Sequence, residues 1–348
     1  MSIKNSNIRA VALFSGGLDS CLAIKLIVLQ NIDVIALYFN MPFTVNKHPV
    51  ELMNRDVPSP LDTLRQRAEQ AGGRFVVYST GADYIDMLKA PCYGYGRNMN
   101  PCIDCKIFFY KHAHEIMKEE GAQFLVTGEV LGQRPMTQNK QMLMAMAKRA
   151  GVEGLVLRPL SARLLPVTIP EEKGWVDRAQ LLDIQGRTRR LQLDLAAEWG
   201  ISDFPNPAGG CLLTDPTYSR RLKDLFEHDI NELNDIVLLK YGRHFRLSET
   251  VKLVVGRDEA DNHALSGLVQ EGDILLEVPA FGSPLCILRG EGADALLPFA
   301  ARVCKRYSSG KSVDRVEVRV LKTGEEEPRA IMVEGELDET ELKAFMLQ

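Results

Sequence analysis

Residues Ser15-Gly16-Gly17-Leu18-Asp19-Ser20 follow an apolar run of β character, 8–14, and open an apolar stretch of helical character, 21–29. A strand, a glycine turn bearing small hydroxyls and a helix start together make an anion pocket. Glycines let backbone N–H groups turn inward without a Cβ in the way, and the helix dipole adds partial positive charge where a phosphate would sit. The loop lacks the lysine of the Walker pattern G-x-x-x-x-G-K-[ST]. It carries instead an acidic residue, Asp19, which repels phosphate unless a divalent cation lies between them. Magnesium-bound ATP is therefore the expected ligand. Without a ligand, the same string is an ordinary Gly-Gly turn between a buried strand and a helix.

Strand-like runs recur at 8–14, 34–39, 74–78, 124–127 and 154–158, separated by helix-like segments. This alternation predicts βαβ units and a doubly wound, mainly parallel α/β sheet. Ligands of such sheets lie beyond the carboxyl ends of the strands, where Ser15, Tyr38, Ser79, Thr127, Gly128 and Glu129 fall. Residues 177–199 read as amphipathic helices, 200–216 as a Pro- and Gly-rich loop holding Cys211, and 218–241 as helical. Short strands then follow at 251–255, 273–278, 285–288 and 316–320, with a helix-like 293–307 among them. The expected organisation is an ATP-binding domain over 1–170, a helical and loop region over 171–244, and a smaller α+β domain over 245–348.

The chain has 348 residues, a formal net charge of −4 and 45% hydrophobic residues, as in a globular protein of two or three domains. No apolar run is long enough to cross a membrane, and residues 1–8 are polar, so a cytoplasmic location without membrane contact is expected. The acidic balance gives no global reason to expect nucleic acid, so any RNA surface must be local. Basic clusters occur at Arg187, Arg189 and Arg190; at Arg220, Arg221 and Lys223; at Lys240, Arg243 and Arg246; and at Arg302, Lys305, Arg306 and Lys311. Each also reads as a solvated helix face.

Seven cysteines, two of them at C-x-x-C spacing, favour metal, cluster or redox chemistry in a reducing compartment over a secreted disulfide framework. Asn100-Pro101-Cys102-Ile103-Asp104-Cys105-Lys106 precedes a helix-like stretch, 107–120, and Cys211 closes Pro207-Ala208-Gly209-Gly210-Cys211. Two thiolates from one turn and a distant third give three ligands, which suit a [4Fe-4S] cluster with one open iron able to present sulfide. The same residues also suit persulfide chemistry, in which one cysteine delivers sulfur and another resolves it as a disulfide. A structural zinc would need a fourth ligand such as His112 or His114, which at alternate helix positions do not share a face. Cys21 and Cys286 read as buried packing residues, and Cys92 and Cys304 have no assigned role.

The Ser15–Ser20 string resembles the signature S-G-G-x-D-S of the ATP pyrophosphatase (PP-loop) superfamily, which implies an adenine nucleotide alpha hydrolase-like fold and cleavage of ATP to AMP and pyrophosphate. With Asn100-Pro101 before the cysteine turn, Thr127-Gly128 closing a strand and a late Gly-Gly-Cys, the chain is similar over 8–215 to the tRNA-thiolating branch. That branch comprises the 2-thiouridine synthases and their kin, the 4-thiouridine synthases. Cys102 and Lys106 stand where the usual 2-thiouridine enzyme has Asp and Asn, and its Thr-Gly-His is Thr127-Gly128-Glu129 here. A C-x-x-C with a remote cysteine is closer to the cluster-dependent thiolases. The tail string Val254-Val255-Gly256-Arg257, followed by Asp261-Asn262, is similar to the RNA-binding module of NFACT-type proteins. Alone it is a β-turn with a surface arginine.

The resemblance implies ATP-dependent thiolation of a tRNA uridine. Ser15, Gly16, Gly17 and Ser20 would hold pyrophosphate, Asp19 would organise Mg2+, Tyr38, Thr127 and Gly128 would line the nucleotide cleft, and sulfur held by Cys102, Cys105 and Cys211 would attack the adenylated carbon. A sulfur donor protein or sulfide is the implied supply. Gln133, Arg134 and Gln138 are either phosphate or RNA contacts or simple surface polar residues. Two rivals differ in what they require: a PP-loop ligase or thiolase acting on a small molecule consumes ATP without tRNA, and a non-catalytic RNA-binding protein with an ATP pocket binds tRNA without cysteine-dependent turnover.

Overall fold

The computed structural model describes residues 8–43, 59–205 and 211–347. The 207–210 part of the late glycine-cysteine motif lies outside them. The chain forms two compact units; the first holds the described residues of 8–43, 59–96 and 100–205, and the second those of 97–99 and 211–347.

The first unit is built on five strands, β1 (Arg9–Phe14), β2 (Asp33–Asn40), β3 (Arg74–Ser79), β4 (Phe124–Thr127) and β5 (Val156–Leu157), in the order β3-β2-β1-β4-β5. All neighbours are parallel. Its helices are α1 (Leu18–Val28), α2 (Pro60–Ala71), α3 (Ala82–Lys89), α4 (Cys102–Glu119), α5 (Lys140–Arg149), α6 (Ile169–Glu172) and α7 (Arg190–Glu198). Alternation along the central strands explains the two layers. Ala10, Ala12 and Phe14 of β1 and Val34 and Ala36 of β2 join one core with α1, α2 and α7. Val11, Ile35, Leu37 and Phe39 join another with Tyr110, Ala113 and Met117 of α4 and Leu143, Met146 and Ala147 of α5. The predicted doubly wound sheet is thus present.

Strand order reverses between β1 and β4, so the crevice beyond their carboxyl ends is the topological switch point of the sheet. The register pairs Leu13 with Thr127 and Phe14 with Tyr38, which brings the Ser15 loop and the Thr127 turn to one edge.

Two helical readings change. Helix α4 begins at Cys102, five residues earlier than expected, so both cysteines of the C-x-x-C lie in its first turn rather than before it. Between 177 and 199 only a 3-10 turn at Arg178–Gln180 and α7 are helical. The amides of Leu182 and Ile184 instead donate to the carbonyls of Pro159 and Leu160, and Gly186 N–H donates to Leu131. These extended pairings use the donors that a helix would need.

In the second unit, α8 (Pro216–Glu227) and α9 (Leu233–Leu238) precede a six-stranded antiparallel sheet. Its strands are β6 (Arg243–Arg246), β7 (Lys252–Val255), β8 (Ile274–Glu277), β9 (Cys286–Arg289), β10 (Arg315–Lys322) and β11 (Arg329–Glu334), in the order β11-β10-β8-β9-β7-β6. Helix α10 (Glu259–Ser266) follows β7, α11 (Ala293–Tyr307) follows β9, and α12 (Glu339–Phe345) closes the described chain. Leu297, Ala300, Ala301 and Cys304 of α11 pack on one face of the sheet. This is the expected α+β module, and residues 211–244 cluster with it. Among the described residues no helix is long and apolar enough to cross a membrane.

Candidate active site

The Ser15–Ser20 loop is pre-shaped. Gly16 takes a left-handed backbone (φ 73°), and a Cβ there would stand 2.2 Å from Leu64 Cδ2. The Ser20 hydroxyl donates to the Gly17 carbonyl (2.7 Å), accepts weakly from Ser15 N–H (3.4 Å), and lies 3.3 Å from the Ser15 hydroxyl. Gly17 is the N-cap of α1, and no side chain caps that helix start. An uncapped helix N-terminus after a glycine turn is the geometry that receives phosphate.

Asp19, in the first turn of α1, accepts from Gln133 Nε2 through Oδ2 (3.0 Å), whereas its Oδ1 is buried without a hydrogen-bond partner. A buried, unsatisfied carboxylate oxygen beside a phosphate loop fits a divalent cation, which would satisfy that oxygen and screen the carboxylate from the phosphates. Tyr38 is half-buried, with its ring tilted against Phe75.

The turn after β4 closes on the loop. A Cβ on Gly128 would stand 2.6 Å from the carbonyl carbon and oxygen of Asp19 and from the Ser20 nitrogen. Only glycine lets the two backbones meet so closely. The Thr127 hydroxyl is directed to Glu129 Oε2 (3.2 Å).

Glu129 is the centre of a buried charge network that the sequence reading did not anticipate. Its Oε2 accepts from the Tyr110 hydroxyl (2.5 Å) and from Arg158 Nε (3.1 Å), and its Oε1 forms an ion pair with Lys106 Nζ (3.2 Å). Arg158 also donates to the Tyr110 hydroxyl and to the Leu143 carbonyl. Burial alone would raise the Glu129 pKa, but the charges of Lys106 and Arg158 and the Tyr110 hydrogen bond outweigh it and hold the carboxyl at about 2. The one available signal was a charged residue, Arg158, ending an apolar strand run. Its partner lies 29 residues away, beyond the reach of local patterning.

Lys106 is next in sequence to Cys105. The first turn of α4 is therefore tied through Lys106 and Glu129 to Gly128, and Gly128 abuts Asp19. Cys102 is exposed, and its Sγ lies 3.2 Å from Asn100 Oδ1; Cys105 Sγ lies 2.9 Å from the Tyr84 hydroxyl. Asp104, between them, is buried and accepts from the backbone N–H groups of Cys92 and Tyr93.

Cys211 belongs to the second unit, at the start of the 3-10 turn Leu212–Thr214. Among the described residues no three His, Cys, Asp or Glu side chains are gathered as a metal site. His112 does not point to zinc, because its Nδ1 meets the Tyr78 hydroxyl and its Nε2 meets Asp83. Cys21, Cys286 and Cys304 are fully buried, and burial pushes the Cys21 thiol up to about 11.

Two of the three polar residues after the Thr-Gly-Glu turn are not simple surface groups. Gln133 holds Asp19, and Gln138 is buried with its Oε1 unsatisfied; Arg134 is exposed.

In the second unit, several basic residues are structural. Arg246 is bidentate on Asp224, Arg221 donates to the Leu239 carbonyl, and Lys305 is buried on the carbonyls of Asp314 and Gly335. Arg257 pairs with the buried Asp261, which also accepts from Gly242 N–H, and Gly256 has no room for a Cβ beside Asn262. The Gly256-Arg257 and Asp261-Asn262 string thus ties the turn after β7 to the first turns of α10. A cavity of about 470 Å3 is lined by Arg302, Lys305, Arg306 and Lys311 together with Glu336, Asp338 and Glu339.

Residues 5–163 match the family model described as thiamine biosynthesis protein (ThiI). Residues 242–346 match the NFACT protein RNA binding domain. The chain is also similar to curated proteins named probable tRNA sulfurtransferase. One, from Methanosarcina mazei, is 32% identical over 132 residues, covering 36% of this chain and 29% of that protein. Another, from Methanothermobacter thermautotrophicus, is 28% identical over 208 residues, covering 57% and 44%. The match thus spans less than half the length of these relatives. Among solved structures, a 4-thiouridine synthetase in complex with RNA and bound ATP matches at 18% identity with a TM-score of 0.38, over 67% of this chain and 53% of that one.

Proposed function

We propose that this protein is an ATP-dependent sulfurtransferase that thiolates a uridine of tRNA in a reducing, cytoplasmic compartment. The observation that carries the reading is the continuity of the first unit: phosphate loop, Asp19, Gly128, Glu129, Lys106 and the Cys102–Cys105 turn lie on one unbroken path of contacts. The ThiI match and the RNA-binding-domain match support the substrate class.

A uracil carbonyl oxygen is a poor leaving group, so it is first joined to phosphorus. The oxygen bonds to the α-phosphorus of ATP as the bond to pyrophosphate breaks. The free amides at the start of α1 and the hydroxyls of Ser15 and Ser20 receive the departing charge. Asp19 would hold Mg2+, which supplies charge neutralisation there. Gln133 fixes the Asp19 carboxylate, and Gly128 keeps the β4 turn against it.

Sulfur then replaces oxygen. The outer sulfur of a persulfide on Cys102 or Cys105 attacks the activated carbon, and AMP leaves with the former carbonyl oxygen. The second thiolate attacks the inner sulfur, which frees the thiocarbonyl base and leaves a Cys102–Cys105 disulfide. A dithiol reductant and a persulfide donor reset the enzyme. A [4Fe-4S] cluster on Cys102, Cys105 and Cys211 would supply an open iron for sulfide instead.

The test is nucleoside mass spectrometry of tRNA incubated with the protein, Mg-ATP and a sulfur source, with iron and acid-labile sulfide measured on anaerobically purified protein. Thiouridine formed only with ATP and intact cysteines supports the reading. ATP consumption driven by a metabolite without tRNA contradicts it. About four irons per chain, lost in Cys211→Ala, would replace the persulfide step with the cluster.

A further inference from the structure

The segment Pro91-Cys92-Tyr93-Gly94-Tyr95-Gly96 is a loop separated by five residues from the cysteine helix. It has no regular secondary structure, yet it is held at several points. Cys92 N–H and Tyr93 N–H donate to the two carboxylate oxygens of the buried Asp104 (3.0 and 3.1 Å), in the α4 turn between Cys102 and Cys105. The Tyr95 hydroxyl donates to the carbonyl of Leu88 (2.6 Å), at the end of α3. Gly94 N–H closes a turn on Pro91, and Gly96 N–H donates to Asn100.

Despite that anchoring, Tyr93 and Tyr95 are each 41% exposed. Gly94 takes a left-handed backbone (φ 71°) with nothing within 4 Å of where a Cβ would lie, so the space over the loop is open. The guanidinium of the exposed Arg149, at the end of α5, sits 5.6 Å from the Tyr93 ring centroid. Tyr93, held by its backbone, thus offers a partly exposed ring with an arginine beside it, and Tyr95 a second partly exposed ring. They match the chemistry that holds an unpaired nucleobase, a π-face for stacking and a cation for the neighbouring phosphate. Because the loop is already ordered, little further conformational entropy is lost when a base settles on it.

We propose that the 91–96 loop is the platform on which a base of the substrate RNA stacks, with Tyr93 as the main contact and Arg149 beside it, so that the base is presented next to Cys102 and Cys105. The inference rests on the sulfurtransferase reading and adds to it the element that holds the base. Asp104 is then a positioning residue: through two backbone amides it fixes the platform to the helix that carries the thiols. Such an arrangement suits a base drawn out of its stack, since enzymes that modify ring atoms need the base accessible.

The test uses the full chain and a tRNA transcript. Binding to labelled tRNA and steady-state thiolation are compared for wild type, Tyr93→Leu and Tyr93→Phe, with ATP binding and melting temperature as folding controls. Loss of one stacked base predicts a rise of about tenfold or more in the RNA Kd and KM for Tyr93→Leu. Tyr93→Phe, which keeps the π-face, stays within about twofold by the same reasoning. Photocrosslinking of wild-type protein to 5-bromouridine-substituted tRNA gives a second readout that needs no variant, and the expected adduct is on Tyr93 or Tyr95. A Tyr93→Leu protein that binds and thiolates RNA like wild type overturns the inference while leaving the sulfurtransferase reading intact. So does a variant whose only defect is a raised KM for the protein persulfide donor, which would assign the loop to that partner. A wild-type protein that thiolates no RNA defeats the underlying reading, and a crosslink mapped elsewhere than the loop defeats the platform.

Discussion

Gly128 and Asp19 are in backbone contact across the switch point of the sheet: a Cβ on Gly128 would come within 2.6 Å of the Asp19 carbonyl carbon and oxygen. Backbone on both sides leaves nothing flexible to yield. Gly128→Ala must therefore displace the start of α1 or the end of β4, at a cost of roughly 1–3 kcal/mol. The expected result is a lower melting temperature together with at least a tenfold weaker ATP affinity by calorimetry, an order-of-magnitude figure for a displaced phosphate loop. Unchanged nucleotide binding would show that the contact is not part of the site.

Asp19→Asn keeps a carbonyl oxygen for Gln133 but removes the charge that suits a cation. Thermal stability is expected to stay close to wild type, while tRNA-dependent AMP release falls by roughly 100-fold or more, the scale of losing one preorganised electrostatic group. Radiolabelled ATP separates the two effects, and an AMP rate within a few-fold of wild type would remove Asp19 from the chemistry.

Glu129→Gln tests the buried network. Leaving Arg158 buried without its carboxylate should destabilise the fold by about 3–5 kcal/mol in denaturant titration at neutral pH. The Glu129 pKa is depressed on folding to about 2, so its ionic contribution is full above the ordinary carboxylate range and is lost as pH falls toward 2. The stability gap between wild type and variant should accordingly narrow from about pH 4.5 downward. A gap that stays constant down to pH 2 would mean that the charge on Glu129 contributes nothing.

Cys102→Ser and Cys105→Ser should each abolish thiouridine formation while tRNA-dependent pyrophosphate release continues, because adenylation precedes sulfur attack. Cys21→Ser, by contrast, changes a buried helix residue and should lower stability without removing thiolation. Loss of pyrophosphate release in the Cys102 or Cys105 variants would place the thiols in the first step instead.

The strand–turn–helix around Ser15–Ser20 was legible because its requirements are local: a strand, two glycines and a helix start within a dozen residues. The parallel sheet followed from apolar runs spaced by helices, and the order β3-β2-β1-β4-β5 agrees with it. Strands β6 and β11 escaped notice for a physical reason. Arg243-His244-Phe245-Arg246 has a single large apolar residue and is held by register with β7, while the edge strand β11 buries only Val333. The early start of α4 was hidden by Asp104 and Lys106, polar residues that look like loop. One is buried under the amides of Cys92 and Tyr93, and the other is drawn to Glu129. The sequence left Gln133 open between a ligand contact and a surface group because its partner, Asp19, is set by the fold rather than by a neighbour in sequence.

The central claim is that one site couples RNA-dependent splitting of ATP to sulfur delivery by Cys102 and Cys105. The most direct measurement is the ratio of AMP released to thiouridine formed, in a single reaction containing tRNA, Mg-ATP, a persulfide donor and a dithiol. Wild type should release about one AMP per thiouridine, with AMP formation dependent on tRNA and thiouridine absent from Cys102→Ser and Cys105→Ser. Thiouridine formed by both cysteine variants, or AMP released at the same rate without tRNA, would contradict it.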